Sequence, residues 1–121
     1  MAKYTEQQIR QARRKVARAQ TWRASNPRAY AAMEAIALGE AIAGHEFGAR
    51  YLCELTRQRC IVGDEDGRDV RLSNDYAGVF ARWLKLEHPE IAHLVRTRPS
   101  AFDVVMRTPG DGEPTDGPTN A

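Results

Sequence analysis

Large apolar residues are scarce in these 121 residues. Leu, Ile, Val and Phe together number 22, a share just under the ~20% that marks a well-cored domain. Disorder would also need a high net charge, and the formal charge is only +2, so the chain is expected to fold around a small core padded by its 18 Ala. No stretch approaches the ~18 apolar residues of a spanning helix. Cysteine is nearly absent: Cys53 and Cys60 make no secreted disulfide framework, and a reducing cytoplasm is the expected location. The opening Met-Ala-Lys-Tyr-Thr-Glu leads into a polar helix, not the apolar core of a signal peptide.

Patterns that carry chemistry are also missing. No paired Cys-x-x-Cys, no His-Glu-x-x-His and no Gly-rich phosphate loop occurs. The two cysteines read as small buried hydrophobes. The cluster Asp64-Glu65-Asp66-Gly67-Arg68-Asp69 lacks the glycine and the closing glutamate of a calcium loop, and reads as a solvated turn. His45-Glu46 and Glu87-His88 sit at helix ends, where capping and dipole pairing are their usual roles, and neither has a companion nucleophile. A non-catalytic protein without metal, cofactor or small-molecule substrate is expected.

What is present is a charge asymmetry. Residues 1–29 hold eight basic groups and one acid, Glu6, so the other 92 residues sum to −5. A helix is predicted over residues 5–24, opened by Thr5 with Gln8 as a capping box. At 100° per residue, Ile9, Ala12, Val16 and Ala19 share an arc of about 80°, and Arg10, Arg13, Arg14 and Arg18 a separate arc of about 140°. Lys15, Arg23 and Arg28 reinforce this into a positive stripe about 20 Å long. Phosphate backbones are the usual partner of such a stripe, whereas an ordinary solvated helix face mixes charge signs. The apolar seam is narrow, which leaves room for packing against a second copy as a homodimer.

Asn26 and Pro27 mark the start of a second helix to residue 43, with Asn26 as cap and Pro27 at the first helical position. Seven Ala and few charges make it apolar nearly all round, the pattern of a buried central helix, and Gly44 ends it. A third helix is expected over 47–59, with Tyr51, Leu52 and Leu55 inward and Arg50–Glu54 paired. Residues 60–72 read as a short β-hairpin. A fourth helix runs from Ser73-Asn74-Asp75 to His88 with the stripe Tyr76, Val79, Phe80, Trp83, Leu84, and with Arg82 and Lys85 opposite. Pro89 opens a short fifth helix, residues 102–106 form a strand or strap, and residues 108–121 form a flexible acidic tail. The whole reads as a mainly α single domain over 1–107, its core at 26–98, with one short hairpin.

The order helix, tight turn, helix, hairpin, helix resembles a winged helix-turn-helix. That likeness would place residues 47–59 in the major groove, with Arg50, Arg57, Gln58 and Arg59 on phosphates or base edges. The wing tip, Asp64-Glu65-Asp66, carries the wrong charge for that role. A second resemblance rests on Leu72-Ser73-Asn74-Asp75-Tyr76, Ala81-Arg82 and Glu87-His88-Pro89-Glu90, with Asn26-Pro27 before them and Arg96 or Arg98 after. Over about residues 24–98 these are similar to an uncharacterised group of small bacteriophage and prophage proteins, which implies a mobile-element origin and no particular activity. Capping and core packing explain most of these residues; Arg82 is the exception, expected to pair with a carboxylate or touch a partner.

Three functional readings follow. The first is a nucleic-acid or nucleoprotein binder using Arg10, Arg13, Arg14, Lys15 and Arg18, with Arg50, Arg57 and Arg59 as secondary contacts. The second is an anti-CRISPR-like inhibitor of a bacterial defence complex, working through Asp64, Glu65, Asp66 and Arg82. The third is a structural or assembly protein of a phage.

Overall fold

The computed structural model describes residues 3–59 and 74–106. Helix α1 (Glu6–Ser25) begins with Thr5 in extended backbone conformation. The Thr5 hydroxyl accepts from the Gln8 amide at 3.1 Å, and the Gln8 side chain accepts from the Thr5 amide at 2.8 Å, so the capping box is formed in full. Its seam of Ile9, Ala12, Val16 and Ala19 turns inward, with Ala12 and Ala19 buried. That seam is covered by the chain's own elements, since α1 lies along α5 (Phe102–Val105) and touches α2 (Pro27–Ile42) and α4 (Ala77–Glu87). A second copy is therefore not needed to bury it.

Asn26 acts backward and not forward. Its side-chain amide donates to the carbonyl of Trp22 at 2.9 Å and its backbone amide also bonds to Trp22, so it closes α1 and makes no side-chain cap for α2. Pro27 takes the first position of α2 as expected. At the far end Gly44 has φ +80°, with its amide bonded to Ala41 and the next amide, His45, bonded to Glu40. This is the reciprocal C-terminal closure that a left-handed residue permits.

Helix α2 is not the central helix. Only Ala29, Tyr30, Met33, Ala37 and Glu40 are buried, while Ala31, Ala35 and Gly39 face solvent and Ile42 is 89% exposed. Alanine explains the difference: it keeps a helix stable without adding much surface, so an exposed Ala face costs little. The centre belongs to α4, in which Ala77, Val79, Phe80, Ala81, Arg82, Trp83 and Leu84 are all buried. Phe80 is its hub, with ring centroids 5.3 Å from Trp22, 6.0 Å from Tyr30, 6.1 Å from Tyr76 and 5.9 Å from Trp83. Such offset and edge-on pairs add to area burial.

Between α2 and the third helix, Phe47–Gly48 form strand β1 and pair in parallel with strand β2, Val95–Arg96. Phe47 is thus a fully buried strand residue and not the start of a helix. Helix α3 (Ala49–Arg59) buries Leu52, Cys53, Leu55 and Thr56, but Tyr51, expected inward, is half exposed. A 3₁₀ turn at Asn74–Tyr76 leads into α4, and another at Pro89–Leu94 follows the break at His88. Residues 102–105, expected as a strand, are helical. Ser100 Oγ accepts from the Phe102 amide at 3.1 Å and Asp103 returns a bond to the Ser100 amide at 2.9 Å, which starts a helical turn despite the β-branched pair that follows. The molecule is mainly helical. The expected hairpin at 60–72 and the tail at 108–121 lie outside the described residues.

Candidate nucleic-acid interface

The long basic helix supplies the first half of the site. Arg10, Arg13, Arg14, Lys15 and Arg18 are all exposed, and none of the five has an ion pair among the described residues. The interior drives this placement: with the seam packed inward, the arginine arc is held on the far side of the helix. Glu6, the one acid of α1, sits in its first turn, where it complements the helix dipole.

Arg23 does not belong to that stripe. It projects from the seam side, with its guanidinium 3.9 Å from the Tyr30 ring centre and 5.1 Å from that of Trp83. Two parallel bonds of 2.7 and 2.9 Å join it to Glu87. The bond to Glu87 is the main reason its pKa is raised further. Arg23 is a latch between α1 and α4, and the free arginines span only about 12 Å along the axis, from Arg10 to Arg18.

The residues of the expected recognition helix are only partly brought together. Arg50 and Gln58 are exposed. Arg57 is committed to Glu54 at 2.6 Å, where an Arg50–Glu54 pair was expected. The Arg59 side chain lies outside the described residues, as do Asp64, Glu65 and Asp66.

Arg82 is structural. It is 7% exposed, and its guanidinium makes three bonds: Nε to Asp103 at 2.8 Å, one terminal nitrogen to the Gly78 carbonyl at 2.9 Å, the other to the Arg98 carbonyl at 2.7 Å. The Phe102 ring lies 5.5 Å away. Gly78 makes room for this packing, because a Cβ there would meet Phe102 at 3.0 Å. Burial works to raise the Asp103 pKa, but the bonds from Arg82 and the Ser100 amide, with the nearby charges of Arg82 and Lys85, outweigh it and hold the carboxyl below its usual value. Arg82 therefore fixes the segment 98–103 against α4 instead of reaching outward.

That fixed segment forms one wall of a groove of about 940 Å³ between the start of α3, α4 and β2. Arg50, Lys85, Arg96 and Arg98 line it together with Arg82, and no carboxylate is among the described residues of the lining. Arg50, Arg96 and Arg98 are exposed, and Lys85 donates to the Thr97 hydroxyl at 3.1 Å. Helix α3 also begins at this rim, adding the partial positive charge of a helix N-terminus. Ser100 and Phe102 line both this groove and a neighbouring cleft that Lys15 and Gln11 of α1 close from the other side. Lys15 of α1 and the basic groove thus lie on either side of one short segment.

Of this groove, Arg50 was expected from the sequence as a contact, and Arg96 and Arg98 only through the phage-protein resemblance. Lys85 was read merely as lying opposite the core. The available signal was the alternation Val95-Arg96-Thr97-Arg98, which puts two arginines on one side of an extended segment.

Burial pushes the Cys53 thiol up to about 11, which leaves it unreactive at neutral pH. Among the described residues there is no cluster of three metal-ligating side chains, and no helix is long and apolar enough to cross a membrane. Comparison with protein-family models, with curated proteins and with solved structures finds no match to the chain.

Proposed function

We propose that this is a non-catalytic nucleic-acid-binding protein whose main contact is the arginine face of α1. One observation carries the reading: Arg10, Arg13, Arg14 and Arg18 share a solvent-facing arc of a helix that is docked on its own core, and among the described residues no carboxylate pairs with them. Like charges held this close repel one another, and a polyanion relieves that repulsion while releasing its own counterions. The groove between α3, α4 and β2, separated from Lys15 by the segment at Ser100–Phe102, adds a second positive surface. Among the described residues no carboxylate lines that groove, and Arg82 is the one of its cations held in an ion pair, with Asp103 behind it, so both halves favour the same class of ligand.

The test is charge reversal of Arg10, Arg13, Arg14 and Arg18 to Glu together. Glutamate has nearly the helix propensity of arginine and the apolar seam is untouched, so the far-UV circular dichroism should be unchanged. Binding of a fluorescent oligonucleotide should weaken by well over tenfold. Wild-type affinity in a folded variant would refute the proposal.

A further inference from the structure

We propose that the groove between α3, α4 and β2 binds a single nucleic-acid strand, with Arg50, Arg96 and Arg98 on its phosphates and Tyr51 as the platform on which a base stacks. The inference rests on the nucleic-acid reading above and adds the strandedness of the ligand and the residues that read it. Tyr51 is the deciding residue. It is 50% exposed and lines the groove beside Arg50. Its hydroxyl reaches Glu40 at 3.5 Å, which tethers the phenol end and leaves ring surface open to solvent.

Single-strand sites combine two features, a cationic channel that follows the backbone and aromatic faces that accept any base. Both occur here within one concavity. A duplex would use neither, because its bases are already stacked and its phosphates lie on a convex surface. The arginine arc of α1 is the surface that suits a convex backbone, whereas the groove suits an unpaired one. A volume of about 940 Å³ is also at the top of the ~300–1,000 Å³ range of small-ligand sites, and the groove runs on toward the α1 cleft past Ser100 and Phe102. A strand longer than one nucleotide fits that course better than an isolated nucleotide does.

The experiment measures anisotropy of an oligothymidylate of about twelve nucleotides, a duplex of equal length and thymidine monophosphate, against the full-length chain. The single strand should bind more tightly than the duplex, and far more tightly than the mononucleotide. Tyr51→Ala should weaken single-strand binding by about 5- to 100-fold with little effect on duplex, as expected for one lost stacked base, and Tyr51→Phe should restore it. Arg96→Ala with Arg98→Ala should weaken the single strand and flatten its salt dependence by roughly 0.7 per contact; both side chains are exposed, and only the Arg98 backbone serves Arg82, so folding should hold. A Tyr51→Ala protein that binds the strand as wild type does, or that loses strand and duplex binding alike, overturns the groove assignment. If the α1 reversal abolishes binding while the groove variants do not, the broader nucleic-acid reading stands and this inference falls. If the wild type binds neither polymer, both fall.

Discussion

Arg82 and His88 show how a charged side chain can be spent inside the molecule. Arg82 satisfies two backbone carbonyls and one carboxylate from a position that is 7% exposed. Arg82→Ala would take the guanidinium away from the Arg98 carbonyl and the Asp103 carboxylate, the Gly78 carbonyl keeping its helical partner, and should cost roughly 2–3 kcal/mol in urea unfolding. Arg82→Lys should rescue little of it, since an ammonium cannot present the planar fork that reaches three acceptors. A loss below about 0.5 kcal/mol would show that the residue is not structural. His88 is held by Glu34, its Nε2 2.7 Å from Glu34 Oε2, and Glu90 lies 3.8 Å from its Nδ1. The bond to Glu34 raises the His88 pKa above 6.5, against a smaller opposing effect of burial and with help from the charges of Glu34, Glu90 and Glu87. A raised histidine pKa stabilises the fold below the unfolded value, and that contribution is lost as pH climbs through the folded value. The melting temperature should therefore fall from about pH 6 to about pH 8, and Glu34→Gln should flatten that slope. An unchanged slope in the variant would exclude the pair as its origin.

At the scale of elements, local signals were readable where one side chain or one bond decides the outcome. Thr5 and Gln8 cap α1 as their spacing implies, and Thr5→Ala should cost about 1 kcal/mol in thermal unfolding. No measurable loss would mean that docking on α5 and α4, not the cap, sets the stability of that end. Pro27, Gly44 and the stripe of α4 were equally plain. What stayed hidden depends on distance. A two-residue ladder joining Phe47–Gly48 to Val95–Arg96 has too little periodicity to announce itself, and its partners lie far apart in the chain. The short helix at Phe102–Val105 was masked by strand-favouring Phe and Val, although Ser100 and Asp103 stand at the spacing of a capping pair. The ranking of α2 and α4 failed for a different reason: counting apolar residues overrates alanine, which contributes little area, while α4 carries the large rings. The basic arc of α1 was legible from helical angles alone; the same angles set Arg23 on the seam side although it was counted in the stripe, and what the sequence could not show was that Glu87, Tyr30 and Trp83 wait there. Arg23→Ala should loosen α1 from α4, lowering stability by roughly 1–2 kcal/mol, and leave nucleic-acid affinity near wild type. A large affinity loss at unchanged stability would return Arg23 to the interface.

Over the whole molecule the net charge of +2 conceals a segregated distribution. Among the described residues, cations without an ion pair line the outer face of α1 and the groove between α3, α4 and β2, while Glu34, Glu54 and Glu87 are engaged by internal partners. That separation is what a polyanion would sense, and it predicts a specific dependence on salt. The most direct measurement is the slope of log K against log salt for the wild-type chain on short duplex DNA. Each phosphate contact contributes about −0.9, so engagement of Arg10, Arg13, Arg14 and Arg18 predicts a slope of about −3 to −4, falling toward zero when all four are reversed to Glu. A wild-type slope near zero, or one that survives the fourfold reversal intact, would contradict the account.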